Sequence, residues 1–301
     1  LCRSFSQYGI TDAFVQVRPY ADALYKSNVY PTSVYAGVNQ GEQAPFDQLE
    51  VICDIMNRYS VKVHAWVNPY RVHNGTDVNE LCETNKARQW YRTDSNEDVA
   101  AVGGKLYFNP ASEKARQLVI DGAREILLNY PVAGIHIDDY FYPPDCGDFD
   151  AVQYNAYLSD GGTLSLDDWR LSNVNMLVAS LYSAVKQCGE DKIFSISPAG
   201  NIENNKAKLY ADVALWCKGG YADMIIPQIF ENLTGSNNIE IPCSCPVCGG
   251  ETKIQREKDV ETLICTNEEC QAKQIKSFTL FVSRDAMNIE GLSEMTLEKL
   301  I

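Results

Sequence analysis

The sequence lacks any apolar run approaching about 18 residues, which excludes a candidate transmembrane helix. It also lacks an excess of basic charge. Its 26 Lys and Arg stand against 40 Asp and Glu, a net charge of −14. Such a chain is a poor general binder of nucleic acid or anionic membrane. No glycine-rich loop follows a strand pattern, so no phosphate-binding turn is expected. No H-x-x-x-H spacing points to a histidine metal site, and no internal repeat or low-complexity tract is present. The opening LCRSFSQYGI has neither a basic n-region nor a long apolar stretch, so the chain as written carries no signal peptide.

What is present is ordinary globular composition, 45% apolar and 22% charged over 301 residues. The eleven cysteines divide unevenly. Cys2, Cys53, Cys82, Cys146, Cys188 and Cys217 are scattered and read as reduced thiols. The other five lie between Cys243 and Cys270 and read as a metal site rather than a disulfide framework.

Up to about residue 230, β-rich runs alternate with helical patterns. The strands are ITDAFVQV (10–17), VKVHAWV (61–67), VAGIHI (132–137), KIFSIS (192–197) and ADMIIPQI (222–229). Helical spacing covers 46–59, 112–130, 171–188 and 206–218. Ser112 caps the second of these, and its apolar stripe is Ala115, Leu118, Val119, Ala123, Ile126 and Leu127. Alternation of this kind predicts parallel βαβ units, as a doubly wound sheet or part of a (β/α)8 barrel.

Strand side chains alternate between faces. In each strand one face is polar: Gln16 and Arg18; His64, Trp66 and Asn68; His136 and Asp138; Ser195 and Ser197; Gln228. A doubly wound sheet buries both faces and should be apolar throughout. A barrel with a polar mouth fits this pattern better. Asp138-Asp139 closes a strand and runs into Tyr140, Phe141 and Tyr142. Carboxylates so placed serve as glycosidase nucleophile or stabiliser, as general acid, or as metal ligand. A capping role, or pairing with Arg18 or Arg71, is the structural alternative. The three aromatics offer flat faces to sugar rings.

The segments FVQVRPYADALYKSNVYP, VHAWVNPYRV, LYFNPASEKARQLVIDGAREI, GIHIDDYFYP, ISPAG and YADMIIPQI together resemble the glycosyl-hydrolase-like family ten. That resemblance implies a TIM-type (β/α)8 barrel and glycoside hydrolase activity, with bacterial cell-wall glycan a suspected substrate and the envelope or exterior as its place of action. It makes Asp138, at the end of the family's fourth strand, the leading catalytic carboxylate, and Asp139 the second. Arg18, His64, Asn68, Arg71, His136, Tyr140 and Gln228 would line the sugar cleft. Against the family pattern one strand is missing before Leu1, and two strand–helix units are missing after the sixth strand. The expectation is an incomplete barrel of about five strands. Glu231 is the stand-in for a missing general acid, and activity of the chain alone is left open.

Cys245-x2-Cys248 and Cys265-x4-Cys270 have the spacing of a closed four-cysteine zinc site. With every position filled by protein, the metal would be structural, and Cys243 is a spare. IEIPCSCPVCGGE, ICTNEECQAK and FVSRDAMNIEGLSEMTLEKLI resemble the zinc finger and first helix-hairpin-helix of NAD-dependent DNA ligases. The adenylation motif K-x-D-G is absent from the sequence, so neither ligation nor NAD binding is expected, and DNA binding should be weak or nil. The expected divisions are a barrel fragment over 1–230, a junction over 231–242, a zinc finger over 243–275 and the start of a helix-hairpin-helix over 276–301. Ile226-Pro227-Gln228-Ile229 suits both families. The chain therefore reads as a chimera joined at this stretch.

Overall fold

The computed structural model describes residues 9–91, 97–143, 145–228, 244–245, 248–257, 260–270 and 273. The chain divides into two compact units, Leu1–Glu231 and Asn232–Ile301. The first is built on five parallel strands: β1 (Asp12–Arg18), β2 (Lys62–Val67), β6 (Gly134–Ile137), β7 (Ile193–Ile196) and β8 (Met224–Ile225). They lie side by side in chain order, with no reversal of direction along the sheet. A doubly wound sheet needs such a reversal. The last strand is shorter than its sequence pattern. Among the described residues, only a bridge between Ala199 and Gln228 continues it beyond Ile225.

The connections are helical. Helix α1 (Gln48–Arg58) joins β1 to β2 and is capped by the Asp47 carboxylate, which accepts from Leu49 and Glu50 N–H. The long segment after β2 is not a bare loop. It holds an antiparallel sheet of β3 (Arg71–His73), β4 (Val99–Val102) and β5 (Lys105–Phe108), and a short helix α2 (Lys86–Trp90). Gly103 and Gly104 turn the β4–β5 hairpin at φ +57° and +78°. That pair of positive angles is what a tight hairpin matched to strand twist requires. Helix α3 (Glu113–Asn129) starts at Ser112, whose Oγ accepts from Ala115 N–H, and it buries the whole expected stripe.

After β6 come α4 (Ala151–Ser159) and α5 (Leu166–Cys188). α5 begins five residues before the helix expected over 171–188. Ser165 caps it through Asp168 N–H, and Asp167 and Asp168 favour its positive end. The helix expected over 206–218 is two: α6 (Ile202–Lys208) and α7 (Val213–Gly219). Tyr210 breaks it at φ +53°, and Asp212 caps α7.

The core runs between the strands and these helices. β6 can approach β7 only because residue 134 is glycine: a Cβ there would stand 1.9 Å from Ile193 O. A buried cation seals the far side of the β6 loop. Arg170, on α5, donates from Nε and Nη2 to Asp150 at 2.9 and 2.5 Å, and from Nη1 to Tyr210 Oη at 2.9 Å. The Tyr142 and Tyr210 rings lie 5.5 and 5.3 Å from its guanidinium carbon. This explains why Tyr210 tolerates its strained backbone.

In the second unit, β9 (Thr252–Glu257) and β10 (Val260–Cys265) form an antiparallel hairpin, absent from the sequence expectation. The junction over 231–242 and the helix-hairpin-helix over 276–301 lie outside the described residues. Among the described residues no helix is long and apolar enough to cross a membrane.

Arg170→Met should cost roughly 3–5 kcal/mol, because it strands a fully buried Asp150 carboxylate. Urea unfolding followed by circular dichroism checks this. A loss below about 1 kcal/mol would mean that the pair is no anchor.

Candidate functional site

The polar face predicted from strand alternation exists and gathers at the carboxyl ends of the strands. Asp138 follows β6 directly and is 2% exposed. Its carboxylate accepts from Trp66 Nε1 at 3.1 Å and from Asn68 Nδ2 at 3.1 and 3.2 Å. Both donors come from the neighbouring strand β2 and the residue just past it. Burial pushes the Asp138 carboxyl up to about 6. The Trp66 and Asn68 N–H groups and the Tyr140 amide work against that rise, and the Asp139 charge adds to it.

Asp139 turns to the other side and is less buried. It accepts from Gln228 Nε2 at 3.2 Å, and the same nitrogen donates to Ser197 O at 2.9 Å. The residues after β7 and β8 thus hold the second carboxyl, which burial also raises. Neither aspartate pairs with an arginine among the described residues, so the ion-pair alternative for Asp138 does not apply.

Behind the carboxylates lies a buried polar layer. His136 Nδ1 is 2.9 Å from Ser195 Oγ, and burial pushes the imidazole down to about 4 with help from His64. His136 is therefore neutral at neutral pH. His64 is fully buried, with Nε2 2.8 Å from Asp12 Oδ1. That contact holds the Asp12 carboxyl below the usual range. The Phe14 ring covers both imidazoles, with centroids 4.7 Å from each. Arg18 is 1% exposed, donates to the Tyr20 and Pro69 carbonyls, and lies over the Tyr30 ring.

The predicted residues therefore separate into two layers. Asp139, Arg71, Tyr140 and Gln228 stand at the mouth and are at least partly open, with Asp138 and Asn68 buried immediately behind them. Arg18, His64 and His136 lie beneath it, where the sequence reading had them lining the cleft. Of the three aromatics expected to face a sugar, only Tyr140 is open, at 46% exposure; Phe141 and Tyr142 are core. Glu231 lies outside the described residues. Trp66 belongs to the site as a donor to Asp138, and its place on the polar face was the signal for it. Tyr20 and Tyr35, stacked at 6.3 Å beside Arg71, come from a loop that carries no periodic signal.

In the second unit the Sγ atoms of Cys245, Cys248, Cys265 and Cys270 all lie within 4.8 Å of one another. Cys245 and Cys270 are 3.9 Å apart, and Cys248 and Cys265 are 3.5 Å apart. Tetrahedral thiolates at about 2.3 Å from a metal stand roughly 3.8 Å from each other, so the four fit one ion. The Gly250 N–H beside its sulfur brings Cys248 down to about 6. The hairpin of β9 and β10 connects Cys248 to Cys265.

Residues 4–254 match the family model described as Glycosyl hydrolase-like 10. The chain is similar to Glycosyl hydrolase YngK of Bacillus subtilis (strain 168), 35% identical over 244 residues, covering 74% of this chain and 46% of the relative. A shorter part is 68% identical over 80 residues to the DNA ligase of Lachnoclostridium phytofermentans, covering 27% of this chain and 12% of that enzyme. Among solved structures, the glycoside hydrolase domain of PgaB (BpsB) from Bordetella bronchiseptica aligns with TM-score 0.47 at 10% identity, over 72% of this chain and 64% of that one. The chain spans about half the length of the Bacillus hydrolase it matches.

The raised Asp138 pKa makes a sign-definite prediction. Because the folded value, about 6, lies above the ordinary 3.8, this group's contribution is most favourable below pH 4 and is lost as pH rises through 6. Over that interval the unfolding free energy of the wild type, measured relative to Asp138→Asn, should fall by on the order of 3 kcal/mol. Paired urea titrations across pH 4–8 measure it, and a flat difference would contradict the assignment.

Proposed function

The chain belongs to the Glycosyl hydrolase-like 10 family, and from that premise we propose that its larger unit is the strand-end face of a glycoside hydrolase. It is an arc of a (β/α)8 barrel, incomplete in this chain, acting on a bacterial glycan such as that of the cell wall. The chain order of the five parallel strands supports the barrel reading. The observation that carries the chemistry is Asp138: a buried carboxyl at a strand end, aimed by two fixed N–H donors.

Glycoside hydrolysis needs one carboxyl group in each of two states, one protonating the leaving oxygen and one charged at the opposite side of the reacting carbon. Asp138 accepts hydrogen bonds on both oxygens, which favours its charged form once pH exceeds its raised pKa. We assign it the charged role, as nucleophile or as stabiliser of the positive charge that develops on the sugar. Asp139, steadied by Gln228, is the second carboxyl of the mouth, and Asn68 and Trp66 position Asp138. Neutral His136, with Ser195, and the buried His64 and Arg18 form a polar layer beneath the site, in which His64 Nδ1 is left without a partner among the described residues. Tyr140 gives a sugar ring an open aromatic face.

The second unit supports a separate reading. Its identity to DNA ligases and its four clustered sulfurs favour a structural zinc module. When bound, the ion would cross-link the two cysteine pairs at the foot of the hairpin. Any DNA affinity it brings would be weak and salt-dependent.

Asp138→Asn should lower reducing-end release from bacterial cell-wall glycan by roughly 100-fold or more. In the wild type, kcat/KM should rise with pH through about 6, as Asp138 ionises. Unchanged activity in the variant would remove Asp138 from the chemistry. Purified chain should carry one zinc by elemental analysis, and Cys270→Ser should lose it. Retention of a full equivalent by the variant would rule out the four-cysteine site.

A further inference from the structure

Arg71 is half-buried and held more firmly than a rim arginine needs to be. It begins β3, three residues past Asn68, and its amide donates to Asn68 Oδ1 at 3.0 Å. Asn68 in turn donates to Asp138, so one side chain links the guanidinium-bearing residue to the carboxylate. The guanidinium carbon lies 4.9 Å from the Tyr20 ring and 4.9 Å from the Tyr140 ring. Nη2 donates to Tyr20 Oη and to Asn74 Oδ1, both at 3.3 Å. Tyr35, 61% exposed, stacks with Tyr20 at a centroid distance of 6.3 Å.

The clamp fixes the cation without neutralising it. Among the described residues no carboxylate pairs with Arg71, and Nε and Nη1 meet no acceptor. A guanidinium gains little from aromatic stacking alone at a wet surface. Its strong partner is a planar oxyanion. Arg18 cannot play that part without rearrangement, because it is sealed beneath the mouth. An anionic polymer approaching a chain of net charge −14, toward two aspartates, also needs a local positive contact.

We propose that Arg71, clamped by Tyr20 and Tyr140, binds the carboxylate of an acidic sugar in the glycan that crosses the Asp138–Asp139 mouth. This rests on the glycosidase reading of that mouth and names the substrate class. The carboxylate belongs either to a uronic acid or to a lactyl ether on an amino sugar. Both offer Arg71 the same group, and the experiment separates them.

Equilibrium binding and reducing-end release are measured on the full chain with two oligosaccharides, an oligouronate and a lactyl-ether amino-sugar oligomer. Each is paired with its carboxyl-reduced counterpart. The wild type should prefer the carboxylate form in one pair by roughly tenfold or more, and that pair identifies the source. Arg71→Gln should bring the ratio close to one, and Arg71→Lys should retain part of it. The wild-type ratio should also shrink as salt is raised, which tests the contact even if a variant fails to fold. Binding with no preference in either pair overturns the inference and leaves the glycosidase reading standing. A preference that survives Arg71→Gln overturns it too. Preferential binding without bond cleavage sinks the glycosidase reading alone, and no binding to any of the four overturns both.

Discussion

A charge buried at a strand end governs the larger unit. The Asp138 carboxyl is almost wholly removed from water, and an unsatisfied carboxylate there would be expelled or neutralised. Trp66 and Asn68 supply the N–H groups that allow it to ionise near neutrality. Each of those residues is then constrained. Trp66 must alternate with Ala65 and Val67 so that its indole faces inward while they face the helices. Asn68 must end its strand with both ends of its amide in use, one toward Asp138 and one toward the Arg71 amide. The start of β3, and with it the rim of the mouth, follows from how that carboxylate is satisfied.

The same economy appears below the carboxylates. His64, His136, Ser195 and Asp12 form paired contacts, and the imidazole of His136 is kept neutral by burial. Phe14 closes the layer over both imidazoles. These groups are polar, yet they act here as packing, since one strand's side chain answers the next across the sheet. Arg170 and Asp150 do comparable work outside the sheet. They tie the loop after β6 to α5 and hold Tyr210 in a backbone conformation it would otherwise avoid.

The two units are stabilised by different means. The larger has an extensive apolar core running through strands and helices. The described residues of the smaller bring four sulfurs together beside a hairpin, and small domains of this kind commonly depend on a metal for their fold. Their relatives differ accordingly, a glycosyl hydrolase for the one and DNA ligases for the other.

Local pattern in the sequence was enough to locate the parallel strands, the inward stripe of α3, most of α5, the polar face and the cysteine ligand spacing. These depend on neighbours a few residues apart, which strand alternation and helical repeat fix locally. The three-stranded sheet after β2 was invisible because its strands are only three or four residues long and β3 pairs with a strand far along the chain, Arg71 opposite Tyr107. The break at Tyr210 was hidden because its cause, Arg170, lies forty residues earlier. Which polar residues reach the open mouth could not be read from alternation. Arg18, His64 and Asn68 share the polar face by pattern and all three are buried, while Arg71 and Tyr140 at the rim stay at least partly open. The sequence determined which residue types face inward; long-range packing alone decided which carboxyls are raised, which cation is sealed, and which arginine is clamped between Tyr20 and Tyr140 with no carboxylate partner among the described residues.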